Sequence, residues 1–378
     1  MDIQIFNEFN EDLELLWQDF EVNANALAFQ SYQWQKYWYE QVGKLEYNTS
    51  IYVMVCSVNN QVRAIFPLGI KKACGARVLE FMGADQADYS APLIATDMTA
   101  SEFNKIWALV LEITPPHDIV YFRNIPKSIQ GMDNFLLQNI DTKKVGSSFS
   151  ATLPNSVDSY FLTLSKRMLK DNKRMVRKLS EMGKLKFLVL NNDKDFNRIL
   201  KIAIDQKSDR HALTGSRNIF HNKSVKSYFE NIYTLNSRGF NVHLSALMLN
   251  DEILATHLGF WHKHCFYYLV PTFNQDDKWK KFSLGRIHLE KLIKWAITNK
   301  VSSFDFTIGA EAYKNIWCNS EMDIYRHLKI RSFRGALYYI FDLLLELVKA
   351  NKFLKNLIIK TLNFKHKIQN TNSRLRGR

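Results

Sequence analysis

Asp305-Phe-Thr-Ile-Gly309-Ala-Glu311-Ala-Tyr313-Lys314 gathers two carboxylates, a phenol and an ammonium within ten residues. Upstream, Ser283-Leu284-Gly285-Arg286 stands where a helical pattern begins, and His257 lies in a strand-like run. These are the group types that acyl transfer from a thioester to an amine requires. A base or a desolvated site makes the amine neutral, N–H donors face the developing oxyanion, and a proton donor serves the leaving thiolate. A structural role stays open for each: a cap for Asp305, a packed ring for Tyr313, a satisfied strand histidine for His257. A helix start also offers unpaired N–H groups and a positive dipole end to a pyrophosphate, so the loop 281–286 is a candidate phosphate cradle.

Periodicity indicates the elements that must position these groups. Residues 242–249, a turn at Asn250-Asp251, then 252–262 and 265–270 read as an antiparallel meander. A polar loop, 271–281, leads to a helix through Lys300 with Leu289, Leu292, Ile293 and Ala296 on one face. A short strand over 303–308, a short helix over 310–318 and a strand over 322–332 complete the order β-β-β-α-β-α-β. The same order is expected earlier. It starts with a hairpin of 51–58 and 61–70 turning at Asn59-Asn60, and a strand over 77–82. A helix over 101–113, a strand over 118–122, a helix over 128–138 and a strand over 146–153 follow. Residues 1–45 read as two helices, 162–182 as a basic helix ending at Gly183, and 196–206 and 223–239 as helices. The repeated order predicts a tandem duplication.

The string from Asp305 to Lys314, with Trp317 after it and Ser283-Leu284-Gly285 before the helix, resembles a known family. It is similar to the GNAT-type acetyltransferases of cellulose and other polysaccharide biosynthesis (the BioF2-like group), relatives of the Fem-type aminoacyl transferases of peptidoglycan. The family shows Ser-Pro-Gly at the helix start, where this chain has Leu284. In the GNAT loop Gln/Arg-x-x-Gly-x-Gly/Ala, the outer positions are Phe282 and Ile287 here. Phe29-Gln-Ser-Tyr-Gln-Trp34 resembles the family's opening, Asp88-Tyr89 a pair its members show, and 170–183 its basic segment. The resemblance implies acetyl-CoA, or another acyl-CoA, as donor. It implies cofactor contacts from Tyr268, Leu269, Val270, Lys281, Phe282, Ser283, Leu284, Gly285 and Arg286. Tyr313 would face the cofactor sulfur, with Asp305, Glu311 and His257 as further catalytic candidates. Asp88, Tyr89, Trp34 and Lys314 would contact the acceptor, though Trp34 also reads as a packing ring and Asp88 as a capping carboxylate.

The fold class expected is α/β (α+β). Tandem GNAT-like domains span 1–155 and 156–335, each a mixed, mostly antiparallel sheet flanked by helices, and a basic helical tail spans 336–378. The first domain is expected to shape the acceptor site and the second to hold the acyl donor. Four scattered cysteines and no Cys/His cluster predict neither a metal site nor a disulfide framework. The start Met1-Asp-Ile-Gln lacks the build of a signal peptide, and no apolar run reaches the roughly 18 residues of a membrane span. A cytoplasmic protein is expected.

The net charge of +14 is concentrated. Residues 162–186 hold nine Lys/Arg against Asp171 and Glu181, and 336–378 hold nine against Asp342 and Glu346, a surplus of +7 in each. The amphipathic pattern over 336–361 predicts a helix that either packs on the body or lies on an anionic inner membrane face. Two rival functions share the fold: a Fem-type transferase whose basic linker meets aminoacyl-tRNA, and a non-catalytic binding module. Acceptors left open are an amino sugar, a lipid-linked glycan, a peptide or a small amine.

Overall fold

In a computed structural model of the chain, the structure describes residues 1–190, 194–214, 218–237 and 239–350. Fourteen of the described strands form one mixed sheet flanked by helices. The first half contributes β1 (Asp2–Phe6), β2 (Ser50–Val58), β3 (Gln61–Ala73), β4 (Ala76–Phe81), β5 (Ile119–Pro126) and β6 (Thr142–Thr152). The second contributes β7 (Leu185–Leu190), β8 (Phe240–Leu249), β9 (Glu252–His262), β10 (Cys265–Phe273), β11 (Ser303–Ile308) and β12 (Ser320–Ile330). Their order across the sheet is β1-β2-β3-β4-β5-β12-β6-β11-β10-β9-β8-β7, with the short pairs at Ala24–Asn25 and Leu93–Ala95 to one side.

The halves therefore exchange their last strands. β12, from the end of the second half, runs antiparallel to β5 of the first. β6, from the end of the first half, runs antiparallel to β11 of the second. The exchanged strands pair with each other in the middle of the sheet. Element order alone gave no sign of this, because each half holds a full set of strands in sequence.

The main helices are α1 (Glu11–Asn23), α2 (Tyr32–Trp38), α3 (Ala100–Ile113), α4 (Lys166–Met182), α5 (Lys194–Thr214), α6 (Leu284–Thr298) and α7 (Phe333–Ala350). The spacing of Phe103, Ile106, Trp107 and Val110 lays α3 on the first half, against Phe66 and Phe122. Leu289, Leu292, Ile293 and Ala296 lay α6 on β10 and β11, against Phe266, Phe304 and Phe306. The N-terminal aromatics form a wedge between the halves: the Phe29 ring meets Tyr89 of the first and Phe260 and Tyr267 of the second. No described helix is long and apolar enough to cross a membrane.

Several expected elements differ. The helix over 128–138 is replaced by a hairpin of Ser128–Ile129 with Met132–Asp133 and a 3-10 turn, Phe135–Gln138. Gln130 and Gly131 both take positive φ there, which favours a two-residue hairpin turn over a helix. The helix over 310–318 shrinks to Lys314–Trp317. β1 precedes the first expected helix and β7 follows the expected basic one, stretches where the spacing showed no strand, and both are edge strands. The helix expected to stop at Gln206 continues to Thr214. Gly183 follows α4 in an extended backbone rather than as a left-handed cap, and the Asn250 side chain accepts the Lys184 N–H at 2.9 Å. The terminal helix ends its description at Ala350, so the expected helical stretch from 351 to 361 lies outside the described residues.

One irregularity shapes the site. Leu258 faces Val270 and Gly259 faces Tyr268, so Leu269 is an extra residue, a bulge in β10. Gly259 is required opposite it: a Cβ there would collide with the Tyr267 carbonyl and the His257 ring. Gly259→Ala is expected to cost about 1–3 kcal/mol in urea denaturation, as other overpacked core sites do. An unchanged midpoint would mean that the bulge can relax.

Candidate functional site

β10 and β11 run side by side as parallel strands only from Cys265 to Tyr267 and from Ser303 to Asp305. Past that point β10 stays with β9 and β11 stays with β6, so the two fork. Each strand then has one edge without a neighbouring strand, and backbone polar groups there require another partner. The Leu269 bulge lies on one arm of the fork. His257 Nε2 accepts the Leu269 N–H at 3.2 Å, and the Tyr268 ring lies flat on the imidazole, 4.3 Å between centroids. Burial, and then the neighbouring His243 and His288, hold His257 well below its ordinary pKa, hence neutral.

Asp305 sits at the base of the fork. Its Oδ1 accepts the Tyr89 hydroxyl at 2.8 Å and the Thr307 N–H at 2.7 Å. Burial pushes its pKa up to about 7 against those two hydrogen bonds, and nearby Asp88 adds to the rise. Asp88 is itself raised by burial, opposed by the Thr307 hydroxyl and by Lys314. Thr307 has φ +59°, an unusual backbone for a β-branched residue. The hydrogen bond to Asp305 and the Lys314 ammonium, which donates to the Thr307 and Ile308 carbonyls at 3.2 and 3.0 Å, hold it there. Lys314 also pairs with Glu311 at 2.9 Å. Burial pushes Glu311 up, but the Lys314 hydrogen bond and charge outweigh it, so its pKa is lowered. Gly309, with φ +119°, leaves room for the Glu311 carboxylate, which a Cβ would meet at 2.7 Å.

Two cavities meet across the fork. One, about 360 Å³, is lined by Phe273, Ser283, Leu284, Gly285 and Arg286 at the start of α6. The other, about 340 Å³, is lined by Lys207 and His211 of α5 with Thr307, Glu311 and Lys314. Arg210, Tyr268, Pro271 and Tyr313 line both. Burial raises the Tyr313 phenol far above neutrality, so it carries a proton where the cavities join. Burial lowers the Lys207 ammonium, and Arg210 lowers it further.

The structure brings Tyr268, Ser283, Leu284, Gly285, Arg286 and Tyr313 to the first cavity, and Leu269, Glu311 and Lys314 to the second. Asp88, Tyr89 and Asp305 join them behind Thr307. Other expected site residues lie elsewhere. Trp34 is fully buried in the wedge, donating its Nε1–H to the Tyr228 hydroxyl at 3.1 Å. Phe282 is a core ring beside Trp279, and exposed Lys281 lies over the Phe282 ring rather than lining a cavity. Val270 packs against the large central core. His257 lies beneath Tyr268, its Nε2 already bonded to the bulge. Arg286 lines the cavity, but its Nε donates to Asn172 of α4 at 2.5 Å. Sequence reasoning missed Lys207, Arg210 and His211. The spacing of Ile199, Ala203 and Lys207, followed by Arg210 and His211 a turn later, was the available signal.

A sheet that forks beside the start of a helix is the fold of the GNAT-type acyltransferases. Residues 166–315 match the family model of the acetyltransferase (GNAT) domain, a span that holds the fork and α6. The chain is similar to the solved structure of FemX, with 13% identity and a TM-score of 0.59, covering 90% of this chain and 99% of that one. It is also similar to L-PGS from Bacillus licheniformis, with 11% identity and a TM-score of 0.52, covering 89% and 98%. The C-terminal domain assigned to a lysylphosphatidylglycerol synthetase from Agrobacterium fabrum has 11% identity and a TM-score of 0.52, covering 88% and 96%. No curated protein matches the chain.

The raised Asp305 has a consequence for stability. Its carboxyl titrates at about 7 when folded and at about 4 when unfolded, so in that window the folded state holds the extra proton. The stabilisation is complete below about 4 and is lost as pH rises to about 7. Asp305→Asn should remove that decline. In urea denaturation between about pH 4.5 and 7.5, the wild type should lose up to about 3 kcal/mol relative to the variant, less where Asp88 shares the titration. A constant difference across the range would place the Asp305 pKa near its ordinary value.

Proposed function

We propose that the chain transfers an acetyl or other acyl group from an acyl-CoA to an amine or hydroxyl of a cell-envelope precursor. The observation that carries the reading is the fork: a carboxyl poised near neutrality at its base, a helix N-terminus at one cavity and a protonated phenol between the two. The first cavity fits the donor. Its α6 first turn presents N–H groups to a pyrophosphate, and the gap between the strand arms, lined by Tyr268, Pro271 and Tyr313, gives a pantetheine arm room to reach the junction. An acyl-CoA bound there would supply the activated carbonyl.

The remaining work falls to this chain's own groups. Glu311, held anionic beside Lys314, attracts the acceptor's ammonium, which gives one proton to solvent and so becomes the neutral amine that attacks. Asp305 takes the proton that the amine loses as its nitrogen bonds to the carbonyl carbon. Tyr313 gives a proton to the sulfur as the C–S bond breaks. Tyr89 and the Thr307 N–H hold Asp305 in place, so the first half of the chain contributes to the acceptor side. Envelope chemistry is favoured by the family resemblance and by the fold shared with FemX and a lysylphosphatidylglycerol synthetase.

A second reading, aminoacyl-tRNA as donor, rests on the basic face of α4, whose Asn172 binds Arg286 at the cavity. Calorimetry of the full-length protein with acetyl-CoA, longer acyl-CoAs, CoA and aminoacyl-tRNA separates the two. Acyl-CoA binding that Gly285→Trp weakens roughly tenfold or more supports the first reading. Tight binding of aminoacyl-tRNA alone overturns it. Tyr313→Phe should lower kcat roughly 10²-fold while leaving acyl-CoA affinity within about twofold. kcat/KM should rise with pH through about 7, and Asp305→Asn should abolish that rise.

A further inference from the structure

The terminal helix α7 is docked on one side only. Asp118 anchors its start: Oδ1 accepts the Ser332 hydroxyl at 2.7 Å, and the Asp118 carbonyl takes the N–H groups of Arg331 and Ser332. Gly335 lies directly on that carbonyl, and Tyr338 is buried against Val78, Ile119 and Tyr121. Gly335, Tyr338 and Asp342 thus face the sheet, at the spacing of one helical stripe.

The opposite stripe is apolar and open. Phe333, Leu337, Ile340, Phe341 and Leu344 are 76%, 49%, 53%, 46% and 55% exposed. They recur at i, i+4, i+7, i+8 and i+11, so they share one face. A run of large apolar side chains on one exposed face marks an interaction surface. The charges around it select the partner. Asp342, the acid among residues 333–345, is turned inward beside Tyr121, and Arg334 is exposed next to the stripe. The 28 residues that follow Ala350 hold eight Lys/Arg and no Asp or Glu.

We infer that the outward face of α7 lies in the interface of an anionic membrane, its apolar stripe set among the lipid headgroups, the positive charge of the sequence that follows selecting anionic lipid. The helix then has two partners, the sheet through Tyr338 and the bilayer through Leu337, Ile340 and Leu344. Apolar burial and charge attraction act together in such a contact, so binding needs anionic lipid and weakens with salt.

The test is vesicle flotation of the full-length protein. Phosphatidylcholine vesicles with about one-third phosphatidylglycerol are compared with phosphatidylcholine alone, at about 0.05 and 0.5 M salt. The protein should float with the anionic vesicles at low salt, float poorly at high salt, and stay behind with neutral ones. The triple variant Leu337→Asp, Ile340→Asp, Leu344→Asp should lose roughly tenfold in bound fraction at an unchanged unfolding temperature, because these side chains face outward. Flotation of that variant equal to wild type overturns the role of α7 and leaves the binding to the basic tail. Failure of the wild type to float at low salt overturns the inference altogether. So does a wild-type dimer that the same substitutions make monomeric without any lipid binding, since the stripe is then a protein interface. If the variant unfolds, salt-independent binding of the wild type to neutral vesicles is the overturning result.

Discussion

Two adjacent parallel strands that pair for three residues and then part are the constraint on which the rest of this molecule depends. Separation leaves backbone groups on both arms without a ladder, and those groups are costly unless something else satisfies them. On one arm the Leu269 bulge turns its N–H to a neutral imidazole. On the other, Thr307 accepts a strained backbone because Asp305 and Lys314 hold it from both sides. The carboxyl at the junction is buried, and its proton affinity rises accordingly. Pocket, strain and near-neutral acid thus follow from one interruption of the sheet.

The first half shows what the same topology does when it is filled. There β4 and β5 pair in parallel only at Val78–Leu79 and Ile119–Val120 before separating. The Phe81 and Phe122 rings, 4.7 Å apart, close one side of that gap. On the other side Arg123 reaches Glu80 at 3.7 Å, and Lys71 pairs with Glu80 at 2.7 Å. The nearby cavity lies at the C-terminal end of α3, lined by Leu111 and Thr114, where carbonyls rather than N–H groups face outward. The two halves share a scaffold, and the side chains inside each gap decide what it can hold. The first half still reaches the other fork through Tyr89, whose hydroxyl donates to Asp305.

Much of this was legible because local rules act over short spans. Asn59 and Asn60 both take positive φ, as a two-residue hairpin turn requires, and the register follows from them. The apolar stripe of α6 and the cluster from Asp305 to Lys314 were visible as spacing. What escaped notice depends on distance in the chain or on competition. Tyr89 reaches Asp305 across more than two hundred residues, and no periodicity records that. Phe282 matched a pattern for contact, but a large ring there gained more by burial, and Trp34 is buried as its reading as a packing ring had it. Lys207 and Arg210 were missed because the helix reading stopped where the apolar spacing gave way to charge, although the hydrogen-bonded turns continue.

The exchange of last strands makes folding depend on the order of synthesis. While the ribosome is still adding residues after Pro126, β5 has an edge with no partner, because its neighbour is β12, near the far end of the described chain. β6 emerges early and waits for two neighbours, β11 and β12, that are made last. A nascent chain released before Ser320 therefore carries a sheet split at its centre, with raw strand edges on both sides of the gap. Such a fragment is prone to wrong pairing and to proteolysis, whereas in the finished chain β12 fills the gap between β5 and β6. Neither half can be complete while the other is unfinished, so the molecule distinguishes full-length from truncated products by its own topology.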